Sequence, residues 1–321
     1  MSMLDAIKNF PKQFSYQPEI VNKSKLKKYN TVIIAGMGGS QLAGGILKSL
    51  AASLNVIQHR NYSFPAEASK KTLVIASSYS GNTEEVIDSF QLALKKKIPV
   101  VAVAAGGALL SLAQKAKVPY IELPDKTIEP RSAIGYNLQA LLALTSQTKI
   151  QKEVSQLSST LVPSDFEPIG KALAQKIQNH IPLIYSSVAN EALAYFWKIT
   201  LNETAKSPAF YNLFPELNHN EMTSFEKNAS TQNLTKQFVF LLLEDAQDHP
   251  RIQKRLAVFS HLISEMELPI ENIPLVGNNR AHTLFNSILL AEWTAYYASQ
   301  LYRTNPDQVP MIEEFKKLMN Q

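Results

Sequence analysis

No cysteine occurs in this 321-residue sequence. Disulfide bonds, thiolate metal ligands and a cysteine nucleophile are therefore excluded. Long apolar runs are also missing, since the longest strongly apolar stretch, Phe238 to Leu243, is far shorter than the roughly 20 residues of a membrane-spanning helix. Asp5 and Lys8 interrupt the N-terminal segment where a secretion signal would be apolar. We therefore expect a cytoplasmic protein without a membrane partner.

The sequence also lacks a basic cluster, although its formal net charge is +5 and its pI is near 9.1. The densest basic run, Lys95 to Lys97, closes a predicted helix, where the helix dipole favours cations. We therefore expect no nucleic-acid partner, and only a mild positive field that attracts anionic small molecules. The histidines show no H-E-x-x-H motif or paired ligand spacing, so we expect no metal site.

Short apolar runs alternate with helical patterns along the chain. Thr31 to Ala35 and Thr72 to Ser77 are typical of buried strands, and each is followed by a helix-like segment. Ile181 to Ser187 and Gln237 to Leu243 begin a second cycle of the same kind. The second cycle carries Glu244-Asp245 at the turn after its second strand, and these carboxylates would repel a phosphate. We expect phosphate binding only in the first half.

The fold class that this alternation predicts is α/β, with two doubly wound parallel sheets. The polar stretch from Gln147 to Ser164 contains helix-forming residues but little apolar periodicity. We place the domain boundary within it, which gives a first domain over residues 1–152 and a second over residues 153–321.

A hydroxyl-rich turn, Ser77 to Glu85, joins a predicted strand to a predicted helix. The first turn of such a helix has unpaired N–H groups and the positive end of the dipole, which suit an anion. Ser78, Ser80 and Thr83 add hydroxyl donors, and Gly81 lets the backbone approach closely. Because the turn contains no lysine, unlike a nucleotide P-loop, it predicts a monophosphate site. The alternative is an ordinary Ser/Thr helix cap without a ligand.

A glycine motif, Gly36 to Ser40, follows the first predicted strand. It does not match the dinucleotide fingerprint, because the third glycine would fall on Gln41 and the next strand ends near Gln58 rather than at an acidic residue. No nicotinamide cofactor is expected. Gly38 and Gly39 would instead give clearance for a sugar at the carboxyl ends of the parallel strands.

Several motifs together resemble a known family. Gly-Met-Gly-Gly-Ser at 36–40 and Ser-Tyr-Ser-Gly-Asn-Thr-Glu-Glu at 78–85 resemble the sugar isomerase (SIS) domain. The remaining motifs resemble the bifunctional phosphoglucose/phosphomannose isomerase family, in that family's order: Pro130-Arg131, Asn202-Glu203, Leu217 to Glu221 and Ile312 to Lys316. The resemblance covers nearly the whole chain and implies two SIS-type, flavodoxin-like domains packed together.

This resemblance also implies an activity and its residues. The activity is the interconversion of glucose 6-phosphate, and of mannose 6-phosphate, with fructose 6-phosphate through a cis-enediolate, without a cofactor or metal. The implied phosphate site comprises Ser40, Ser78, Ser80 and Thr83 beside Gly38 and Gly39, and the implied catalytic residues are Arg131, Glu203, His219 and Lys316. The family resemblance further implies a homodimer in which His219 reaches the site that contains the partner's Glu203.

The chemistry of these residues agrees with such a reaction. Glu203 lies on the helical face of Phe196 and Ile199, where desolvation would raise a carboxylate pKa toward that of a working base. Arg131 at a helix start would be repelled by the dipole unless an anion offsets it. His219 lies in a polar run that could fix its tautomer for ring opening.

Two other functions remain open at this point. One is a SIS isomerase acting on a different phosphosugar. The other is a non-catalytic sugar-phosphate sensor, which would keep Ser78, Ser80 and Thr83 but would not require Arg131, Glu203 and His219. The joint presence of these three residues favours catalysis.

Overall fold

Two parallel β-sheets organise the chain in the computed structural model, which describes residues 1–65, 67–124 and 127–319. Contacts divide the chain into two compact units. The first unit contains Met1 and Lys8–Val162, and the second contains Ser2–Ile7 and the chain from Pro163 onward.

The first unit contains a five-stranded sheet. Its strands are β1 (Thr31–Ala35), β2 (Asn55–His59), β3 (Leu73–Ser77), β4 (Val100–Ala104) and β5 (Tyr120–Glu122). Their order is β2-β1-β3-β4-β5, and every neighbouring pair is parallel. All residues of β3 and β4 are buried, which explains why these strands are continuous apolar runs rather than alternating patterns.

Seven helices occur before residue 163 in the described chain, and most of the first, α1, belongs to the second unit. They are α1 (Met3–Asn9), α2 (Gly38–Leu50), α3 (Glu84–Lys96), α4 (Gly107–Ala116), α5 (Ile134–Leu144), α6 (Thr148–Ser155) and α7 (Leu157–Thr160). Helices α2, α3 and α4 each begin shortly after a strand ends, so their first turns lie at the carboxyl edge of the sheet.

The first unit continues past residue 152, where the sequence analysis places the boundary. Helix α6 contacts α5, and α7 contacts a 3₁₀ helix at Phe10–Ser15. Val154, Leu157 and Leu161 are buried. The contact units therefore divide between Val162 and Pro163.

The second unit contains a four-stranded sheet with the same arrangement. Its strands are β6 (Ile181–Ser187), β7 (Phe210–Phe214), β8 (Phe238–Glu244) and β9 (Ile270–Pro274). They are parallel in the order β7-β6-β8-β9, which repeats the order of β2, β1, β3 and β4. The predicted α/β class with two parallel sheets is thereby confirmed.

The helices of the second unit are α8 (Pro163–Lys176), α9 (Glu191–Thr200), α10 (Gln232–Thr235), α11 (Pro250–Glu265), α12 (Arg280–Tyr302) and α13 (Pro310–Met319). Helix α12 packs along α8 and α9. On the opposite side, Tyr185, Phe214, Phe240 and Phe259 form a buried aromatic cluster with edge-to-face contacts. No helix among the described residues is long and apolar enough to cross a membrane.

Strand β7 is absent from the strands that the sequence patterns predict. Phe210–Phe214 pairs with β6 on one side only, and four of its five residues keep some solvent exposure. An edge strand of this kind lacks the continuous apolar run that makes buried strands recognisable. This omission matters, because β7 contributes Asn212 to the surroundings of His219, as described below.

The close packing of α8 against α12 depends on Gly170. A Cβ atom at this position would lie 2.5 Å from the Cβ atom of Trp293 and 2.9 Å from the backbone nitrogen of Thr294. Gly170→Ala should lower the free energy of unfolding by about 1–3 kcal/mol, because the steric cost exceeds the gain in helix propensity. Urea denaturation would measure this change.

A control variant at the exposed Gln175 of the same helix, Gln175→Ala, should stay within about 0.5 kcal/mol of the wild type. Equal stability of Gly170→Ala and Gln175→Ala would show that the helices can separate without cost.

Candidate functional site

The serine turn between β3 and α3 has a side-chain network of its own. The hydroxyls of Ser78 and Thr83 lie 2.8 Å apart, and the backbone N–H of Gly81 donates to Ser78 Oγ at 3.1 Å. Thr83 occupies the N-cap position of α3, yet within the described structure no side chain caps that helix. The hydroxyl of Thr83 therefore contributes to the turn rather than to an ordinary helix cap, and the first-turn N–H groups of α3 remain suited to an anion.

Ser80 carries the exposed hydroxyl of this turn. Its hydroxyl oxygen accepts the backbone N–H of Asn82 at 3.3 Å, and the residue lies at the surface. Ser78 is buried and Thr83 is partly buried. The turn therefore has one exposed hydroxyl, on Ser80, and two hydroxyls, on Ser78 and Thr83, that hydrogen-bond to each other.

A second loop, Ala105 to Gly107 after β4, crosses the serine turn at very short range. A Cβ atom on Gly81, whose φ is +72°, would lie 1.8 Å from the carbonyl oxygen of Gly106, and one on Gly107 would lie 2.4 Å from that of Ser80. The N–H of Ala105 donates to the carbonyl of Tyr79 at 2.9 Å. Only glycines allow this crossing. These residues are not among the sequence-predicted site residues, although a Gly-Gly pair after a buried strand is a recognisable signal.

A cleft opens beside this crossing. Its lining residues are Tyr79, Ser80, Ala105, Gly106, Gly107, Ile128, Glu129 and Pro130. The exposed hydroxyl of Ser80 and the glycine backbone face the same space as the Glu129-Pro130 segment. The cleft therefore has polar groups close to the hydroxyls of the serine turn.

The glycine motif joins the serine turn to Arg131. Ser40, in the first turn of α2, is buried, and its hydroxyl accepts the backbone N–H of Tyr79 at 3.1 Å. A Cβ atom on Gly39 would lie 2.3 Å from the carbonyl oxygen of Pro130 and 2.8 Å from the Cα atom of Arg131. Gly39 is therefore required for close contact between α2 and the Pro130-Arg131 segment. Gly38 has a positive φ of +51° at the start of the helix.

Arg131 is buried, with only 5% of its side chain exposed. It lies in a 3₁₀ turn, Pro130–Ser132, and its Nη1 atom is 3.5 Å from Glu129 Oε2. A buried guanidinium is stabilised by anionic partners, and Glu129 supplies one at the edge of the cleft. The first unit thus brings the hydroxyls, the glycines and the cation of the sequence prediction together.

Glu203 lies in the second unit, in a π-helical turn at Leu201–Ala205 that continues α9. The residue is half-buried. Asn202 closes the turn by donating to the carbonyls of Ser207 at 2.9 Å and Ala209 at 3.4 Å, and Lys206 Nζ donates to the Glu203 carbonyl. Glu203 is therefore part of a fixed turn and not of a frayed helix end. Single π turns within helices occur frequently at functional sites.

The other two predicted residues of the second unit lie on separate exposed elements. His219 ends a 3₁₀ turn, Glu216–His219, and its side chain is exposed. Lys316 is an exposed residue of α13, a helix without a buried residue. The neighbouring Lys317 pairs with Glu314 at 3.6 Å on the same helix.

The carboxyl edge of the second sheet is occupied by its own side chains. Asp245, which follows β8, accepts a hydrogen bond from Arg280 Nη1 at 2.5 Å and another from Asn190 Nδ2 at 3.0 Å. Ser187 donates to the nearby Asp248 at 2.7 Å, and burial raises the pKa of the Asp248 carboxyl. A carboxylate thus takes the place that an anion would take at the equivalent edge of the first sheet.

Loss of the Asp245 carboxylate should destabilise this edge. Asp245→Ala would leave Arg280, whose side chain is 23% exposed, and Asn190 without their shared acceptor. We expect the free energy of unfolding to fall by about 1–3 kcal/mol.

The control is Glu271→Ala, which removes a more exposed ion pair with Lys176 at 2.7 Å and should cost less than about 1 kcal/mol. Urea denaturation of both variants measures the difference. Equal losses would contradict a structural role for the Asp245 network.

Comparisons with known proteins identify the family. A family model described as bacterial phospho-glucose isomerase C-terminal SIS domain matches residues 166–319. The chain is 34% identical to a bifunctional phosphoglucose/phosphomannose isomerase from Caldicellulosiruptor bescii, with 98% of both sequences covered. It is also 34% identical to the protein of the same name from Thermoplasma volcanium, over 91% of this chain and 92% of that one.

Solved structures agree at the level of the fold. The crystal structure of tagatose-6-phosphate ketose/aldose isomerase from Escherichia coli matches with a TM-score of 0.70 at 15% identity, over 95% of this chain and 94% of that one. Such a low identity indicates a shared fold only. The two curated relatives, in contrast, share about a third of their residues with this chain over nearly its whole length. The chain therefore belongs to the bifunctional phosphoglucose/phosphomannose isomerase family.

Proposed function

We propose that this protein interconverts glucose 6-phosphate and mannose 6-phosphate with fructose 6-phosphate. The observation that carries the proposal is the serine turn of the first unit, in which Ser78 and Thr83 share a hydrogen bond close to the exposed hydroxyl of Ser80. The names of the family members supply the substrate class. We further propose that the protein acts in the cytoplasm, in glycolysis and gluconeogenesis.

The phosphate is held without a metal ion or lysine in this proposal. Hydroxyls of Ser40, Ser78, Ser80 and Thr83 and the N–H groups at the start of α3 donate to its oxygens. Hydrogen bonds to a charged group each contribute on the order of 1.5–3 kcal/mol, so a few of them suffice to anchor the substrate. The glycines at 38 and 39 leave room for the sugar.

Isomerisation requires a base, and Glu203 takes this role. It removes the proton from C2 of the open-chain aldose and returns it to C1 of the cis-enediolate, while the hydroxyl proton of O2 is transferred to O1. The fixed π turn around Glu203 favours a single orientation of the carboxylate. Arg131 stabilises the negative charge that develops on the substrate oxygen. His219 and Lys316 move the proton that opens and closes the sugar ring.

Acceptance of both aldoses follows from the same intermediate. The carbon at C2 is planar in the enediolate, so its configuration is lost when the proton leaves. Return of a proton to one face of C2 gives glucose 6-phosphate, and return to the other face gives mannose 6-phosphate. A single base and a single phosphate site can serve both substrates if the enediolate turns about its C2–C3 bond while the phosphate stays bound, so that either face of C2 meets the base.

The base is tested by Glu203→Gln, which keeps the shape of the side chain but removes its basicity. We expect kcat to fall by about 10²–10⁴-fold with little change in KM. Two measurements apply: a coupled assay with glucose 6-phosphate and mannose 6-phosphate, and loss of the C2 proton of glucose 6-phosphate in heavy water.

The matched control is Glu191→Gln at the start of α9, which should retain activity. Proton exchange at the wild-type rate in Glu203→Gln would remove Glu203 from the mechanism. Equal binding of glucose and glucose 6-phosphate would instead contradict the phosphate site.

We further propose a homodimer in which His219 completes the site that contains the partner subunit's Glu203. His219 is exposed in a polar 3₁₀ turn that follows Pro215, so it is available to another chain. In a two-fold dimer each site would then receive one residue from each protomer.

Subunit exchange tests this arrangement. Glu203→Ala and His219→Ala proteins, each with only residual activity, are mixed, and heterodimers then contain one site with both changes and one site with neither. Because random pairing makes half of the dimers mixed, activity should return to roughly a quarter of the wild-type value. Absence of recovery despite exchange of labelled subunits would show that His219 serves its own chain.

A further inference from the structure

His219 combines an exposed side chain with a strongly restrained backbone. Leu217, which precedes His219 in the chain, is fully buried, and Phe225, which follows it, is also buried. Asn220 Oδ1 accepts the N–H of Glu221 at 2.6 Å, and Asn220 Nδ2 donates to Glu216 at 2.9 Å. The two consecutive 3₁₀ turns, Glu216–His219 and Glu221–Phe225, are thus fixed on both sides of the histidine.

The strongest of these restraints is formed by the Glu221 carboxylate. Tyr185 donates its hydroxyl hydrogen to Glu221 Oε1, and Asn212 donates an amide hydrogen to Glu221 Oε2. Tyr185 and Asn212 are register partners on the neighbouring strands β6 and β7. Both carboxylate oxygens are therefore bound by adjacent positions of the sheet, and we call these three residues the Glu221 clamp.

The donors of the Glu221 clamp are themselves immobile. The ring of Tyr185 is fully buried, with edge-to-face contacts to Phe240 at 5.7 Å and to Phe259 at 5.5 Å between ring centroids. Burial and the hydrogen bond to Glu221 raise the pKa of the Tyr185 hydroxyl, which therefore remains a donor. The clamp transmits the rigidity of the sheet to the turns around His219.

Stability alone does not account for this arrangement. A half-buried carboxylate loses part of its hydration, and an apolar side chain at position 221 would fill the space next to the aromatic cluster without that cost. Arg255 of α11 adds a further polar restraint by donating to Asn218 Oδ1 at 3.2 Å. Polar restraints of this kind specify one backbone geometry, which is what a reacting side chain requires.

We propose that Tyr185 and Asn212 are positioning residues that act through Glu221 to fix the location of the His219 imidazole for opening of the sugar ring. This inference rests on the proposed role of His219 in the isomerase. The clamp does not touch the substrate. Its contribution is to limit the positions from which the imidazole meets the ring oxygen.

Tyr185→Phe tests the clamp, since it keeps the aromatic packing and removes only the hydroxyl. We expect kcat to fall by about 10- to 100-fold with KM unchanged, because the phosphate site of the first unit is intact. The matched control is Tyr297→Phe, which removes another Tyr–Glu hydrogen bond of the second unit, to Glu167 at 2.5 Å. The control should retain the wild-type kcat.

A double-mutant cycle separates positioning from general damage. If Tyr185 acts through His219, Tyr185→Phe/His219→Ala should be no slower than His219→Ala alone. Losses that multiply in the double variant would overturn the proposal, as would wild-type kcat in Tyr185→Phe. Wild-type activity of His219→Ala would instead refute the proposed role of His219 itself.

Rescue by an exchanged pair provides a second test. Glu221→Gln turns an amide N–H towards the Nδ2 donor of Asn212, whose orientation is fixed because its Oδ1 accepts the N–H of Leu213 at 2.8 Å. Asn212→Asp places a carboxylate against the Glu221 carboxylate, so each single variant should lose activity. The combined variant Glu221→Gln/Asn212→Asp lets the new glutamine accept from Tyr185 and donate to the new aspartate, and kcat should return toward the wild-type value. No recovery in the combined variant would contradict the clamp.

A measurement without substrate distinguishes failure of the clamp from failure of the function. In the wild type, the NMR order parameter of the His219 backbone N–H should be near 0.85, and in Tyr185→Phe it should fall below about 0.6. An unchanged order parameter would show that the hydroxyl does not restrain the turn, whatever reaction the protein catalyses.

Discussion

The structure depends on the unpaired backbone groups where a parallel strand ends and a helix begins. All such junctions of one sheet lie at the same edge, so the positive potentials of their N–H groups and helix dipoles add up. This potential favours hydrogen-bond acceptors and negative charges at that edge. In the first unit the residues at this edge are hydroxyls, glycines and a buried arginine. In the second unit the negative charge at the equivalent edge is the protein's own Asp245 carboxylate, which accepts hydrogen bonds from Asn190 and Arg280.

The two sheets therefore show how one arrangement of strands supports two different roles. The shared order of β7-β6-β8-β9 and β2-β1-β3-β4 gives both units an equivalent edge. The first unit has hydroxyls and helix N–H groups at that edge, where we propose that the phosphate binds, whereas the second uses the edge to stabilise its own fold. The second unit instead presents its candidate catalytic side chains from a π turn, a 3₁₀ turn and a terminal helix.

Local patterns were sufficient to predict the buried strands and the serine turn, because a strand's apolar run and a turn's hydroxyls are contiguous in sequence. They were insufficient where the structure joins distant residues. Arg280 lies 35 residues from Asp245, and Tyr185 lies 36 residues from Glu221, so neither hydrogen bond has a local signal. The π turn at Leu201–Ala205 was missed for another reason, since apolar spacing alone does not distinguish it from the α-helix that precedes it.

The crossing of the serine turn and the loop after β4 limits how the substrate range of this protein could be altered. At Gly81 and Gly107 an added Cβ atom would clash with a backbone carbonyl. A second substitution cannot relieve this clash, because it changes side chains and leaves the backbone atoms in place. A substitution at either glycine therefore cannot be made neutral by another substitution, whether that one comes before or after it. Ile128 lines the same cleft, so it is the place where libraries aimed at new sugars would find tolerated diversity, whereas Glu129 is constrained by its contact with Arg131.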